Sequence, residues 1–377
     1  MTIAVVSVGD PLNPETWSGT PAGLIEGLRA YGVEVLAADV RPPCSIIEYA
    51  LRVLARLTRH GAAGRNWMMW RDTALYGDLI TFTARARCRR FNRADIVIQI
   101  GSQFRVPHSH VFTLEDMTLV QARGAGFGNW AQHSDRAVSA RLRRHQRTYR
   151  EVDGLLAATE WAAASMREDF GVPAEKVNVI GLGGRYRETS RAAADAATRK
   201  NWEAPCFLFV GHDWERKNGP LLVRAFRRVR TELPEARLVL VGEHPRVEAP
   251  GIEDYGPLVL SDPAAQELLA TLFARATCLV VPSRIEPAGL VYAEAGQVGV
   301  PSIGSDAGGA REMIGPGGII VPVDDEYALA EAMRTLADPA TARRLGALAR
   351  EHAATLTWEQ VAARVLRIIA PENEMSR

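Results

Sequence analysis

The sequence predicts two doubly wound α/β domains with a cleft between them. Two observations carry this. Short apolar runs recur along the chain, and most are followed by a turn-rich stretch and a helical pattern, as in parallel sheets with crossover helices. The succession breaks once, across 187–205, where the chain turns polar and alanine-rich, and then restarts. A length of 377 residues suits about two domains of ordinary size.

In the first half, Thr2 to Val8 reads as a buried strand, followed by a loop from Gly9 to Gly19 rich in Pro, Asp and Asn. Thr20 then stands as a helix cap before Pro21 in the first helical position. Leu24, Ile25 and Leu28 give that helix its apolar stripe, Gly32 ends it, and Val33 to Ala37 is the next strand. Helices are predicted over 46–58 and 72–89, and strands over 95–100 and 110–114, the second ending at Glu115-Asp116. A helix over 136–150, a strand over 155–158, a helix over 160–170 and a strand over 176–180 complete a first domain of residues 1–186. The glycine cluster Gly181-Leu182-Gly183-Gly184 lacks the GxGxxG spacing and the later acid of a dinucleotide fingerprint.

After the expected linker, a second domain over 206–355 begins with strand 207–210, helix 220–233 and strand 237–241. Strand 252–255, helix 266–274, strand 278–281, helix 293–298 and strands 301–303 and 319–321 follow. Helices over 327–337, 341–353 and 357–369 close the chain, the last with Thr357 and Gln360 as a capping box.

Composition is that of a soluble globular protein, and a net charge of +1 argues against nucleic acid as a partner. The chain uses 42 arginines and only three lysines, at 176, 200 and 217, so each lysine invites a question. Cysteines at 44, 88, 206 and 278 form no CxxC pair; they read as structural thiols, with no metal site expected. The first residues read as a strand and not as a signal peptide, and no apolar run reaches about 18 residues, so a cytoplasmic protein is expected. Seven arginines lie at 65, 71, 85, 87, 89, 90 and 93, opposed by Asp72 and Asp78 and flanked by Trp67, Met68, Met69 and Trp70. A solvated helix face explains them; the alternative is peripheral contact with anionic lipid at the inner membrane face, or with a charged acceptor.

Three stretches carry chemistry. The turn from Pro282 to Gly289 links a buried strand to a helix and holds two prolines, a glycine and Glu286. A helix start of this kind leaves backbone N–H groups unpaired and suits a phosphate. Glu286 and Glu294 flank it; a carboxylate accepts hydrogen bonds from vicinal hydroxyls, although a Glu ordinarily faces water. The stretch Gly211-His212-Asp213-Trp214-Glu215-Arg216-Lys217 delivers adjacent cations after a strand, fit for phosphate oxygens or for an ordinary surface. The stretch Gly304-Ser305-Asp306-Ala307-Gly308-Gly309-Ala310-Arg311-Glu312 follows the next strand, with a double glycine that permits close backbone approach.

In this order, cationic loop, Glu-x7-Glu and Gly-Gly-x-x-Glu, the set resembles the retaining glycosyltransferases of family 4, glycosyl transferases group 1. The resemblance is strong from Phe207 to about Asp325 and moderate from Trp17 to Pro21. It implies the GT-B fold, two Rossmann-like domains with an interdomain cleft, the first binding acceptor and the second donor, and a C-terminal helix over 356–372 crossing back to the first domain. It implies that Glu294 grips ribose hydroxyls and Glu286 the donor sugar, with Ser283, Pro287, Ala288, Gly289, Leu290 and Val291 around sugar and phosphate. Arg216 and Lys217 would neutralise the diphosphate beside Gly211, and Tyr255, Gly256 and Pro257 would lie by the base. Ser18, Gly19 and Thr20 would close over the diphosphate; Ser18 stands where many relatives have a second glycine. No histidine stands at the strand end where many relatives place one, so Asp116 is the residue expected to face the acceptor.

The expected activity is metal-independent, retaining transfer of a sugar from a nucleoside diphosphate sugar to an acceptor hydroxyl on a glycan, a lipid-linked or a small molecule, with no cofactor besides that donor. A GT-B-fold sugar-nucleotide epimerase, a phosphorylase and a non-catalytic partner subunit are the alternatives.

Overall fold

A computed structural model describes the chain except residues 44–45, 47–48, 50–70, 72, 88–90, 128–129, 131–132, 185–199, 260 and 371–377. The expected helix over 46–58, the Trp-Met stretch at 67–70, Arg65, Arg89, Arg90, Cys44, Cys88 and most of the expected linker therefore lie outside the described residues.

The chain divides into two compact units, residues 1–180 with 362–377, and residues 181–361. The glycine cluster belongs with the second unit and not the first. Gly184 N–H donates to the Leu356 carbonyl at 3.1 Å, and a Cβ at Gly183 would overlap the Trp358 backbone and ring.

The first unit is a parallel sheet of β1 (Thr2–Ser7), β2 (Glu34–Asp39), β3 (Ile96–Ile100), β4 (Val111–Glu115), β5 (Gly154–Ala157) and β6 (Val177–Val179), in the order β2-β1-β3-β4-β5-β6. Its strands are nearly continuous apolar runs because helices cover both faces of such a sheet. Around it lie α1 (Thr20–Ala30), α2 (Ala74–Arg87), α3 (Leu119–Gly124), α4 (Asp135–Glu151) and α5 (Glu160–Glu168). Two details differ from expectation. Thr20 does not cap α1: it is buried in the first turn, and the cap is Gly19, left-handed at φ 83° after Trp17 and Ser18 at 49° and 54°. Three successive left-handed residues turn the chain more sharply than a Thr cap does. The short α3 was not anticipated, although Thr118 and Gln121 form a full capping box that was visible in the sequence.

The second unit repeats the plan with β7 (Cys206–Val210), β8 (Arg237–Val241), β9 (Ile252–Asp254), β10 (Cys278–Val281), β11 (Ser302–Ser305) and β12 (Gly318–Val321), all parallel, in the order β12-β11-β10-β7-β8-β9. Its helices are α6 (Gly219–Glu232), α7 (Pro263–Arg275), α8 (Leu290–Gln297), α9 (Ala310–Ile314), α10 (Glu326–Ala337) and α11 (Pro339–Ala353). The last helix, α12 (Trp358–Ile369), starts within the second unit and ends in the first. Thr357 Oγ1 accepts from Gln360 N–H at 3.2 Å at its start. Phe207 on the sheet and Phe226 on α6 meet edge-on, with ring centroids 6.4 Å apart. Each is fully buried and contributes roughly 1.5–3 kcal/mol through burial.

The helix α8 starts three residues before the predicted Ala293, because Gly289 adopts φ 86° and lets the chain turn into the helix at once. In each unit, successive strands change sides at one point: between β1 and β3, and between β7 and β10. The loops leaving those strands therefore splay apart and leave a crevice, the usual ligand site of open parallel sheets.

Among the loops of the second unit, Gly211 and Gly242 lie in direct contact. Gly242 has φ 135°, and a Cβ there would overlap the Gly211 carbonyl oxygen. Gly242→Ala should therefore cost about 2–3 kcal/mol, through strain at positive φ plus this clash. A fall of several degrees in the melting temperature of the ligand-free protein checks this; an unchanged value would contradict it.

Candidate active site

The loop after β7 is bent by Asp213 (φ 62°) and Asn218 (φ 58°), and the latter caps α6. Lys217 N–H donates to the Asp213 carbonyl at 2.9 Å, which folds the loop back on itself. Gly211 leaves room for the lysine stem: a Cβ there would lie 3.0 Å from Lys217 Cγ. Lys217 is 7% exposed, so the adjacent-cation pair is not an ordinary surface pair.

The loop after β10 joins it through the main chain. Arg284 N–H donates to the Arg216 carbonyl at 2.8 Å, and Arg216 Nη1 donates to the Ile285 carbonyl at 2.9 Å. Asn218 and Arg284 both donate to Asp324 Oδ1, at 2.9 and 3.2 Å, which ties both loops to the turn after β12.

The double glycine acts here as well. Glu286 N–H donates to the Ala307 carbonyl at 3.1 Å, and Gly309 N–H donates to the Glu286 carbonyl at 2.9 Å. Gly308 pairs with Glu286 as an isolated parallel bridge and has φ 95°; a Cβ there would overlap the Glu286 carbonyl. The close approach anticipated at Gly308-Gly309 is thus made by the backbone of Glu286. Tyr292 braces the turn from inside: its hydroxyl donates to the Val281 carbonyl at 2.8 Å, and its ring lies under Gly289.

These contacts place the Glu286 carboxylate, 4% exposed, against Lys217 Nζ. Ser283 Oγ donates to the same oxygen at 2.9 Å, and Arg216 Nη1 lies 3.7 Å from it. Burial pushes the Glu286 carboxyl up, but the Lys217 and Arg216 charges and the hydrogen bonds outweigh it and hold the group below its ordinary range. Burial lowers Lys217 despite the opposing pull of Glu286. Glu286 is therefore ionised at neutral pH, and its partner is the buried Lys217 side chain.

Glu294 is also buried, at 5% exposure, in the second turn of α8, where a Cβ at Gly184 would lie 3.1 Å from its backbone nitrogen. Neither glutamate faces water in the ordinary way. Pro287, Ala288, Leu290 and Val291 are buried around Gly289 at the start of that helix. Tyr255, Gly256 and Pro257 lie along the same sheet edge after β9, connected through Gly242 N–H, which donates to the Gly256 carbonyl at 2.9 Å.

The remaining expected residues lie in the first unit. Ser18 is exposed and Gly19 and Thr20 are buried after β1, with the Trp17 ring beside Gly101 at the end of β3. Asp116 is half-buried just past β4. Beside it lies a cluster that sequence reasoning missed. Glu115 is 4% exposed and accepts from Ser102 N–H at 2.6 Å, from Ser102 Oγ and from the Tyr149 hydroxyl. Ser102 Oγ also lies 2.5 Å from His145 Nδ1, and Arg141 Nε donates to His145 Nε2 at 3.2 Å. With Nε2 accepting, Nδ1 carries the ring proton and donates to Ser102, so every hydroxyl and ring proton in the chain points toward Glu115. Burial lowers His145 well below its ordinary value, with Arg141 and Arg144 adding to the effect. The signal was present: α4 buries Arg141, His145, Thr148 and Tyr149 on one face, so its inward stripe is polar and invisible to an apolar periodicity.

Among the described residues there is no cluster of three or more potential metal ligands, and no helix is long and apolar enough to cross a membrane. Cys206 and Cys278 are buried free thiols.

Known proteins are similar to this chain in sequence over the second unit and in fold throughout. Residues 204–338 match the family model of glycosyl transferases group 1. Solved structures extend the likeness to the fold of the whole chain, which is GT-B. Sucrose-phosphate synthase from Thermosynechococcus elongatus aligns with TM-score 0.70 at 20% identity, over 98% of both chains. The Anabaena protein HepE, solved in complex with UDP and glucose, aligns with TM-score 0.65 at 15% identity, over 97% of this chain and 98% of its own. Among curated proteins, D-inositol 3-phosphate glycosyltransferase of Nocardiopsis dassonvillei is 29% identical over 256 residues, 61% of this chain. The match spans 58% of that relative's length.

Two outcomes test the electrostatics. Lys217→Met leaves a buried carboxylate without its main partner and should cost about 3–5 kcal/mol. Adding Glu286→Gln should recover most of the loss, as read by urea unfolding of both variants. The second concerns Glu115, which burial and the Asp116 charge push up to about 7 from 4.5 against the opposing hydrogen bonds of Ser102 and Tyr149. The folded state then holds this proton more tightly than the unfolded one. The stabilising contribution is present below 4.5 and is lost as pH rises through about 7. Melting temperatures from about pH 5 to pH 8 should fall less steeply for Glu115→Gln than for the parent.

Proposed function

We propose that this chain is a retaining glycosyltransferase that moves a sugar from a nucleoside diphosphate sugar to an acceptor hydroxyl without a metal ion. The observation that carries the reading is the buried Lys217–Glu286 pair, fixed at the crevice between β7 and β10 by main-chain bonds from three loops. The match of residues 204–338 to glycosyl transferases group 1 and the UDP and glucose bound by HepE support the same substrate class.

Breaking the bond between sugar and diphosphate builds negative charge on the leaving oxygens. Fixed cations stabilise that charge without reorganising, and Arg216 and Lys217 are held in place before any ligand arrives. Lys217 would meet the diphosphate on one side while Glu286 keeps it charged from the other. The start of α8 after Gly289 would take the phosphate nearest the sugar. Glu286 would accept from sugar hydroxyls and Glu294 from ribose hydroxyls, each a carboxylate already desolvated. In the retaining course the acceptor oxygen bonds to the anomeric carbon on the face from which the diphosphate departs. The acceptor's proton passes to a diphosphate oxygen, so no protein nucleophile is required. The chain's contribution is position and charge.

Thermal shift with UDP, GDP, ADP and TDP should raise the melting temperature with at least one of them. Proton NMR of the product should show the anomeric configuration of the donor. Lys217→Ala should lower turnover by about 100-fold or more at a donor concentration that saturates the parent. Because the variant also strands Glu286, its folding should be checked at the assay temperature. No shift with any nucleotide, or an inverted product, would overturn the reading.

A further inference from the structure

The imidazole of His244 has no part in the function set out above, yet it lies between the two loops that flank the donor edge of the second unit. It follows β8, two residues past Gly242, and its side chain is 1% exposed. One ring face meets Trp214, with centroids 4.9 Å apart and planes 33° apart. Trp214 belongs to the same short loop as Arg216 and Lys217, and its other contacts hold it firmly. Phe209 meets it edge-on at 5.4 Å, and a Cβ at Gly219 would overlap its ring.

The polar edge of His244 faces the opposite loop. Nδ1 lies 2.9 Å from the Pro245 carbonyl, which can only accept, so Nδ1 donates. Nε2 is buried, makes no hydrogen bond, and stands 3.5 Å from Asp254 Oδ1. That carboxylate already accepts from Gly256 N–H at 3.0 Å and Val247 N–H at 3.2 Å, and so shapes the turn of Tyr255, Gly256 and Pro257. Nε2 and that carboxylate oxygen therefore stand within ion-pair distance of each other. A buried polar atom held off its partner is costly and is retained where the surrounding contacts over-determine it.

We propose that His244 is a positioning residue of the donor site, keying the cationic loop through Trp214 to the loop after β9 through Asp254. The ligand class is the nucleoside diphosphate of the proposed function, on which this inference rests. His244 touches neither diphosphate nor base. It fixes the spacing between the loop that neutralises one and the loop expected beside the other, and so contributes to which base is accepted.

The test is calorimetric titration of UDP, GDP, ADP and TDP into the full chain, His244→Phe and His244→Gln, with melting temperatures recorded without ligand. His244→Phe keeps a ring against Trp214 but no nitrogen facing Asp254. It should weaken the best-bound nucleoside diphosphate about tenfold and narrow the ratio between it and the other three. His244→Gln keeps a polar group toward Asp254 and should regain part of that ratio. A purely structural role would lower the melting temperature and leave the ratio unchanged; that outcome overturns the inference while the donor-site reading stands. If the parent binds none of the four, the reading itself fails and this inference with it. Should His244→Phe not fold, the ratio for His244→Gln against the parent decides alone, and an unaltered ratio counts against the proposal.

Discussion

The second unit is organised around one buried ion pair, Lys217 with Glu286. Removing both charges from water is expensive, and their attraction repays it only if geometry is enforced and the remaining oxygens and protons are satisfied. The surrounding chain supplies both. Ser283 and Arg216 complete the shell of Glu286, while Gly308 and Gly309 grip its backbone and the Arg216–Arg284 main-chain bond fixes the loop that carries the lysine. Positive-φ residues at 213, 218, 289 and 308 are the bends that let three loops converge on one point. Strain of this kind persists where packing over-determines it, and it clusters where chemistry needs preorganised charge.

The first unit holds a second buried polar assembly with a different character. Glu115, Ser102, His145, Arg141 and Tyr149 form a directional chain with a carboxylate at its focus and no lysine in it. It pins the ends of β3 and β4 to α4. Both assemblies lie at the carboxyl ends of their strands, the second unit's where strand order reverses between β7 and β10, and the first unit's at β3 and β4, beside the reversal between β1 and β3. The two units therefore solve the same problem, holding polar groups rigid at a ligand edge, with different residues.

Much of the architecture was legible in the sequence. Arg237–Val241 and Cys278–Val281 were read with their observed bounds, since buried parallel strands are short apolar runs bounded by turns. The three loops that meet around Glu286 were also recognisable from residue type and order. Less legible were α3 and the polar face of α4, which carry little apolar periodicity. The start of α8 and the cap of α1 were misplaced because left-handed glycines set both, and a turn's φ is not written in its neighbours.

By itself, the sequence determined which residue types arrive at the sheet edge and in what order, because strand, turn and helix patterns are local. It could not determine what those residues do to one another. Only the tertiary structure decided that the double glycine grips Glu286, that Lys217 is buried and paired, and that His244 faces Asp254 while stacked on Trp214. Each of these depends on atoms far apart in sequence, brought within a few ångströms by sheet order and loop curvature. The electrostatics of a carboxylate or an ammonium is set by that distance and by the water excluded around it.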